Sequence, residues 1–176
     1  MKGLKVGIAY VIRLDRGEKL VQSLARFCDE HKVPSASFQG IGTCREATLG
    51  FFRMDTGRYK FRTFPGDHEI TSLTGNVSRV EGRAFVHAHI VLGNARFGAR
   101  SGHLKEADVS ATCEIVLVPL ARPLGRKSDP ATGLNLLDFD PRQASTGGKR
   151  AGRAGKPAVR TGKTANRNRK HSGRGH

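Results

Sequence analysis

Cysteine is scarce in this chain of 176 residues: there are three, Cys28, Cys44 and Cys113. They are odd in number, lie far apart and form no CxxC, which leaves neither a disulfide framework nor a thiolate zinc site to build on. They read as small buried residues. Long apolar runs are missing too. The stretch Val6 to Ile12 is closely flanked by Lys5 and Arg13 and falls short of the roughly 20 residues that a membrane helix needs. No small-residue cleavage site follows it, so a cytoplasmic protein with no membrane partner is expected. Walker, HExxH and GxSxG motifs are absent, and Gly40-Ile41-Gly42 lacks the third glycine and the following helix of a dinucleotide fingerprint. Those two glycines instead mark a bulge or a close backbone approach within a strand.

Acid is what the end of the chain lacks. Residues 1–121 hold 17 Lys/Arg against 12 Asp/Glu, whereas from Lys149 to His176 there are ten Lys/Arg and no acid at all. Those ten are Lys149, Arg150, Arg153, Lys156, Arg160, Lys163, Arg167, Arg169, Lys170 and Arg174. Lys, Arg, Gly and Ala dominate the segment and Val159 is its one large apolar residue, so burial cannot offset the entropy cost of ordering it, and it is expected to be disordered. A one-signed tail of this kind suits a polyanion: displacing counterions from nucleic acid gives affinity without a folded surface. A solubilising tail or a weak attraction to anionic lipid are the alternatives. The expected organisation is a folded domain over 1–121, a linker or docked extension over 122–148, and the tail over 149–176. With 37% apolar residues the chain can fill one core.

Ahead of the tail, KVGIAYVIRL (residues 5–14) reads as a strand. Asp15 and Glu18 then have the spacing of a capping box, which predicts a helix starting there and stopping near His31, before Pro34. Leu20, Val21, Leu24, Phe27 and Cys28 fall on one face of it. ASFQGIG, EATLGFF, RYKFRTF, EITSLTGNVS, AFVHAHIVLG and VSATCEIVLVPL are each strand-like, with turns expected at Asp55-Thr56-Gly57, Pro65-Gly66-Asp67 and Glu81-Gly82. The fold class is therefore α+β, one early helix on a largely antiparallel sheet of about six or seven strands. In Asp67-His68-Glu69, neighbouring strand residues point to opposite faces and cannot converge as a triad.

FVHAHIVLGNARFGARSGHL (residues 85–104) concentrates three of the seven histidines. On a strand His87 and His89 point the same way, and Gly93-Asn94 and Gly98 supply turn chemistry that could return His103 beside them. Three imidazoles would hold a metal ion and leave a coordination position open. Ordinary residues on a polar sheet face are the competing reading. Glu106 is a weaker candidate, as an acceptor behind the ligands or as a base.

In order along the chain, VIRLDRGEKLVQSLARFC, PSASFQGIGTCREATLGFF, GDHEITSLTGNVS, FVHAHIVLG and SGHLKEADVSATCEIVLVPL resemble the PPC domain, the domain conserved between plants and prokaryotes. The resemblance spans about residues 5–121. It implies an α/β fold on a largely antiparallel sheet, assembling as a homotrimer, and a zinc site at His87, His89 and His103. It also implies that Gly66, Glu69 and Ile70 belong to a segment that contacts protein partners. In plant relatives the domain accompanies AT-hooks. The nearest approach here, Arg153-Ala154-Gly155-Lys156-Pro157, lacks the hook's glycine and second arginine, so backbone neutralisation with little sequence specificity is expected. The resulting expectation is a DNA-binding protein of architectural or regulatory type, associated with a bacterial nucleoid. The alternative is a metal-dependent enzyme or a small-ligand or protein-binding module using the histidines. No clear general base accompanies them, which counts against an enzyme.

Overall fold

The structure, a computed structural model, describes residues 1–139. In chain order the elements are β1 (Lys2–Val6), β2 (Ala9–Asp15), α1 (Leu20–Glu30), β3 (Ala36–Arg53), β4 (Arg58–Val80), β5 (Arg83–Gly93), β6 (Ala99–Pro119), β7 (Gly125–Ser128) and β8 (Asn135–Asp138). A single helix thus accompanies a large mixed sheet among the described residues, with β4–β7 its parallel pairing.

Period-two patterning builds the core. On β6, Cys113, Ile115 and Leu117 are buried while Glu114 and Val116 point outward. On β5, Ala88, Ile90 and Leu92 do the same. Leu20, Leu24, Phe27 and Cys28 of α1, spaced for one helical face, close over them. The four long strands form a circuit, since β3 pairs with both β4 and β6, and β5 also pairs with both.

Three local expectations change. Residues 5–14 are a hairpin rather than one strand: Gly7, at φ +57, leads the two-residue connection from Val6 to Ala9. Pro65-Gly66-Asp67 does not end a strand. Instead β4 runs through it opposite β3, with a register shift between Cys44 and Glu46. A bulge there accommodates a proline with no donor and Gly66 at φ +91. Eight strands result where six or seven are expected.

The helix begins at Leu20, not beside Asp15. Asp15 N–H does donate to Glu18 Oε2 at 2.8 Å, but that bond closes a turn ahead of the helix. The Lys19 side chain makes no capping bond and the first turn carries no acid. The cap comes from β6, where the Glu106 carboxylate accepts from Val21 N–H at 2.7 Å and Gln22 N–H at 3.3 Å. At the other end Arg79 of β4 donates to the carbonyls of Cys28, Val33 and Pro34 and to the Asp29 carboxylate, tying the helix terminus to the sheet.

Beyond residue 121 the chain is docked as far as 139. The β7–β8 hairpin joins β4 through the Arg79–Gly125 pair and an Arg79 N–H bond to the Leu124 carbonyl at 2.7 Å.

Candidate metal centre

Alternation along β5 turns Ala88, Ile90 and Leu92 into the core, and so places His87 and His89 together on the opposite face. The chain then reverses through residues 94–98. There the Asn94 side-chain oxygen accepts from the Arg96 and Gly98 N–H groups at 2.9 and 3.1 Å, and Phe97 N–H donates to the Asn94 carbonyl at 2.8 Å. This turn sets the register that makes His103 the direct cross-strand partner of His89. The geometry expected of Gly93-Asn94 and Gly98 is realised.

The three rings sit 5.1 to 5.6 Å apart between centroids, and one ligand nitrogen from each lies within 4.8 Å of the other two. Small side-chain rotations bring such a set onto one ion at the ~2.0–2.1 Å bonds of zinc to imidazole. Burial, then the neighbouring Arg126 charge, then His103 and His89, push His87 down to about 4. Burial first, with His89 and Arg126 after it, lowers His103. Both rings are therefore neutral near pH 7, the form that offers a lone pair to a metal. His103 Nδ1 is buried with no hydrogen-bond partner. An orphaned nitrogen costs free energy unless something binds it, and a cation shared with His87 and His89 would satisfy it. The donor set therefore fits a metal ion.

His87 and His103 line a cavity of about 340 Å³. Its walls include Phe52 and Tyr59, with the Tyr59 ring 4.9 Å from that of His103. The β7–β8 hairpin closes another side with Leu134, Leu136 and Arg126. No motif marks Arg126 in the sequence. It reaches the histidines only because β7 docks on β4, which brings its guanidinium to Ser78 and Asn76.

Glu106 takes a different position from the one expected. Its carboxylate is occupied by the Val21, Gln22 and Ala107 amides, so it serves the start of α1 rather than the histidines. Gly66 and Glu69 are exposed, whereas Ile70 packs in the core at 1% exposure and is withdrawn from any partner surface. Glu69 lines a second cavity, of about 720 Å³, with Arg45, His68 and Phe97. Asp67, His68 and Glu69 do not converge: His68 is buried and bonds the Gly66 carbonyl at 2.6 Å, while its neighbours face solvent. The ten tail cations, Lys149 to Arg174, lie outside the described residues.

Residues 1–121 match the family model of the Plants and Prokaryotes Conserved (PCC) domain. Among solved structures, a protein from Bacteroides thetaiotaomicron described as a candidate DNA-binding protein is 34% identical. Its TM-score is 0.76, with 78% of this chain and 96% of that one covered. A Ralstonia eutropha protein with the same description is 31% identical, with a TM-score of 0.74 and coverages of 79% and 96%. A metal-containing protein from Archaeoglobus fulgidus is 34% identical, with a TM-score of 0.71 and coverages of 76% and 94%. No curated protein matches the chain.

Proposed function

The chain belongs to the Plants and Prokaryotes Conserved domain family, and from that premise we propose that it is a DNA-binding protein of architectural or regulatory type. The observation that carries this reading is the tail's charge: ten Lys/Arg and no acid from Lys149 to His176. Two solved relatives described as candidate DNA-binding proteins support it. In this reading the core assembles as a homotrimer and each copy contributes one tail. A second tail then binds at high effective concentration once the first is engaged, so weak arms act together. The exposed Val11, Ile41 and Val116 on the outer face of β2, β3 and β6 support self-association. The site of action is the nucleoid of a bacterial cytoplasm. No helix among the described residues is long and apolar enough to cross a membrane.

Fluorescence anisotropy of labelled duplex DNA against salt tests the proposal, with sedimentation giving the subunit number. Each tail cation that neutralises a phosphate adds about −0.9 to the slope of log K against log salt. The full chain should show a steep slope, and a chain ending at 148 should not bind at 150 mM salt. Equal binding by the truncated chain, with the same slope, overturns the reading.

The converging histidines favour a second reading of the core itself. His87, His89 and His103 hold a zinc ion in a structural or regulatory role, or as the centre of a ligand site, and the metal-containing Archaeoglobus relative supports this. When bound, the ion supplies Lewis acidity at its open position. Metal analysis should find close to one zinc per chain in the purified protein and none in a His87→Ala/His89→Ala variant; equal contents exclude this ligand set.

A further inference from the structure

Arg126 presents a cation that its surroundings satisfy only in part. Its Nε donates to Ser78 Oγ at 2.7 Å, one terminal nitrogen to the Asn135 carbonyl at 2.7 Å and the other to Asn76 Oδ1 at 2.8 Å. A guanidinium carries five N–H donors, so one remains on each terminal nitrogen. The Phe85 ring lies 4.8 Å away and covers one face. Among the described residues no carboxylate forms an ion pair with Arg126. The ion-paired Arg and Lys side chains are exposed apart from Arg79, whereas Arg126 is half-buried without such a partner and lines the cavity shared by His87 and His103.

A half-buried cation with two free donors calls for an anion. The cavity's volume of about 340 Å³ lies at the small end of the range for ligand sites, and Phe52, Tyr59 and Leu134 give it apolar and aromatic walls. We infer that this cavity binds a small organic carboxylate, its two oxygens meeting Arg126 beside the histidine-held ion and its hydrocarbon part lying against Phe52, Tyr59 and Leu134. Two donors match two oxygens. Against the apolar walls phosphate's remaining oxygens would lack donors, whereas a carboxylate has no oxygen left over and a hydrocarbon part to place there. The inference rests on the metal reading of His87, His89 and His103, and it is independent of the tail.

The test uses the full chain loaded with Co²⁺, whose visible bands report changes at the ion. It is titrated with butyrate, benzoate, butyramide and inorganic phosphate. The carboxylates should shift the bands saturably, butyramide should not, and phosphate should act at least about tenfold more weakly. In Arg126→Gln the carboxylate response should weaken by about ten- to a hundredfold, the range for losing charge-assisted hydrogen bonds. Because Arg126 also fastens β7 to β4, the melting temperature and ligand-free Co²⁺ spectrum of the variant are read first. If Arg126→Gln does not fold, Arg126→Lys, which keeps the charge but loses the fork, carries the comparison, and an unchanged carboxylate response in it overturns the proposal. Absence of Co²⁺ bands from the wild-type chain overturns the metal reading and this site together. Bands that carboxylates leave unmoved, or that butyramide or phosphate moves as strongly, overturn the ligand alone.

Discussion

Glu106→Ala separates two jobs that the sequence leaves open for the same carboxylate. In the structure Glu106 accepts from the Val21 and Gln22 amides at 2.7 and 3.3 Å, and α1 has no other side-chain cap and no acid in its first turn. Losing an N-terminal cap costs about 0.5–2 kcal/mol, and losing a negative charge near the positive end of the helix dipole adds about 0.3–1 kcal/mol. The sum is about 2 kcal/mol, because Val21 is half-buried while Gln22 is exposed and water can replace one partner. In a chain of this size, each kcal/mol moves the melting temperature by about 2–4 °C, so Glu106→Ala should melt about 4–8 °C lower. Glu106→Gln keeps an acceptor oxygen and should lose about half as much. The measurement is a thermal melt of chelator-treated protein, which holds metal linkage fixed across variants, together with Co²⁺ titration of each variant. Metal affinity should stay within twofold of wild type. A variant that melts within 1 °C of wild type but binds Co²⁺ at least tenfold more weakly would return Glu106 to the histidines and refute the cap.

Burial raises the thiols of Cys28 and Cys113 to about 12 and that of Cys44 to about 11. At pH 8 the reactive thiolate is then a fraction of about 10⁻³ or less, so a disulfide reagent should label none of them until denaturant is added; prompt labelling of native protein contradicts the packing. At Gly42 an added Cβ would meet the Thr112 carbonyl and come within 2.6 Å of Cys113 Cα, backbone that cannot step aside. Gly42→Ala should therefore cost about 1–3 kcal/mol in a urea melt, and a neutral result would mean that β3 and β6 are further apart than described.

Features set by neighbours in the chain are legible in the sequence; those set by distant partners are not. Alternation on β5 and β6 shows in the order of residues, as does the helical spacing of Leu20, Leu24, Phe27 and Cys28. The start of α1 is misplaced because its cap comes from Glu106, 85 residues away, while the nearby Asp15–Glu18 pair imitates one. Pro65-Gly66-Asp67 has turn chemistry, but whether it ends a strand depends on β3, which absorbs it as a bulge. The candidate site divides the same way. His87, His89 and His103 follow from alternation plus one local reversal, whereas Arg126 belongs to a segment with no periodic signal and arrives through a single β4–β7 pairing.

Charge separates the core from the tail on the same principle. Six cationic side chains of the described core have a carboxylate within ion-pair distance: Arg13 with Asp15, Lys19 and Arg45 with Asp108, Arg26 with Glu18, Arg53 with Asp55, and Arg79 with Asp29. Paired charges cancel at a distance, and what is left of the core's field decays within about 8 Å at physiological salt. From Lys149 onward the sequence holds ten Lys/Arg and no acid. In the DNA-binding reading proposed above, that one-signed run is what a polyanion meets. Among the described residues the one half-buried side-chain cation without a carboxylate partner, Arg126, lines the cavity of about 340 Å³ with His87 and His103. The two proposals made above thus call on different cations: the tail Lys/Arg for a polymer, and Arg126 beside His87 and His103 for a single carboxylate.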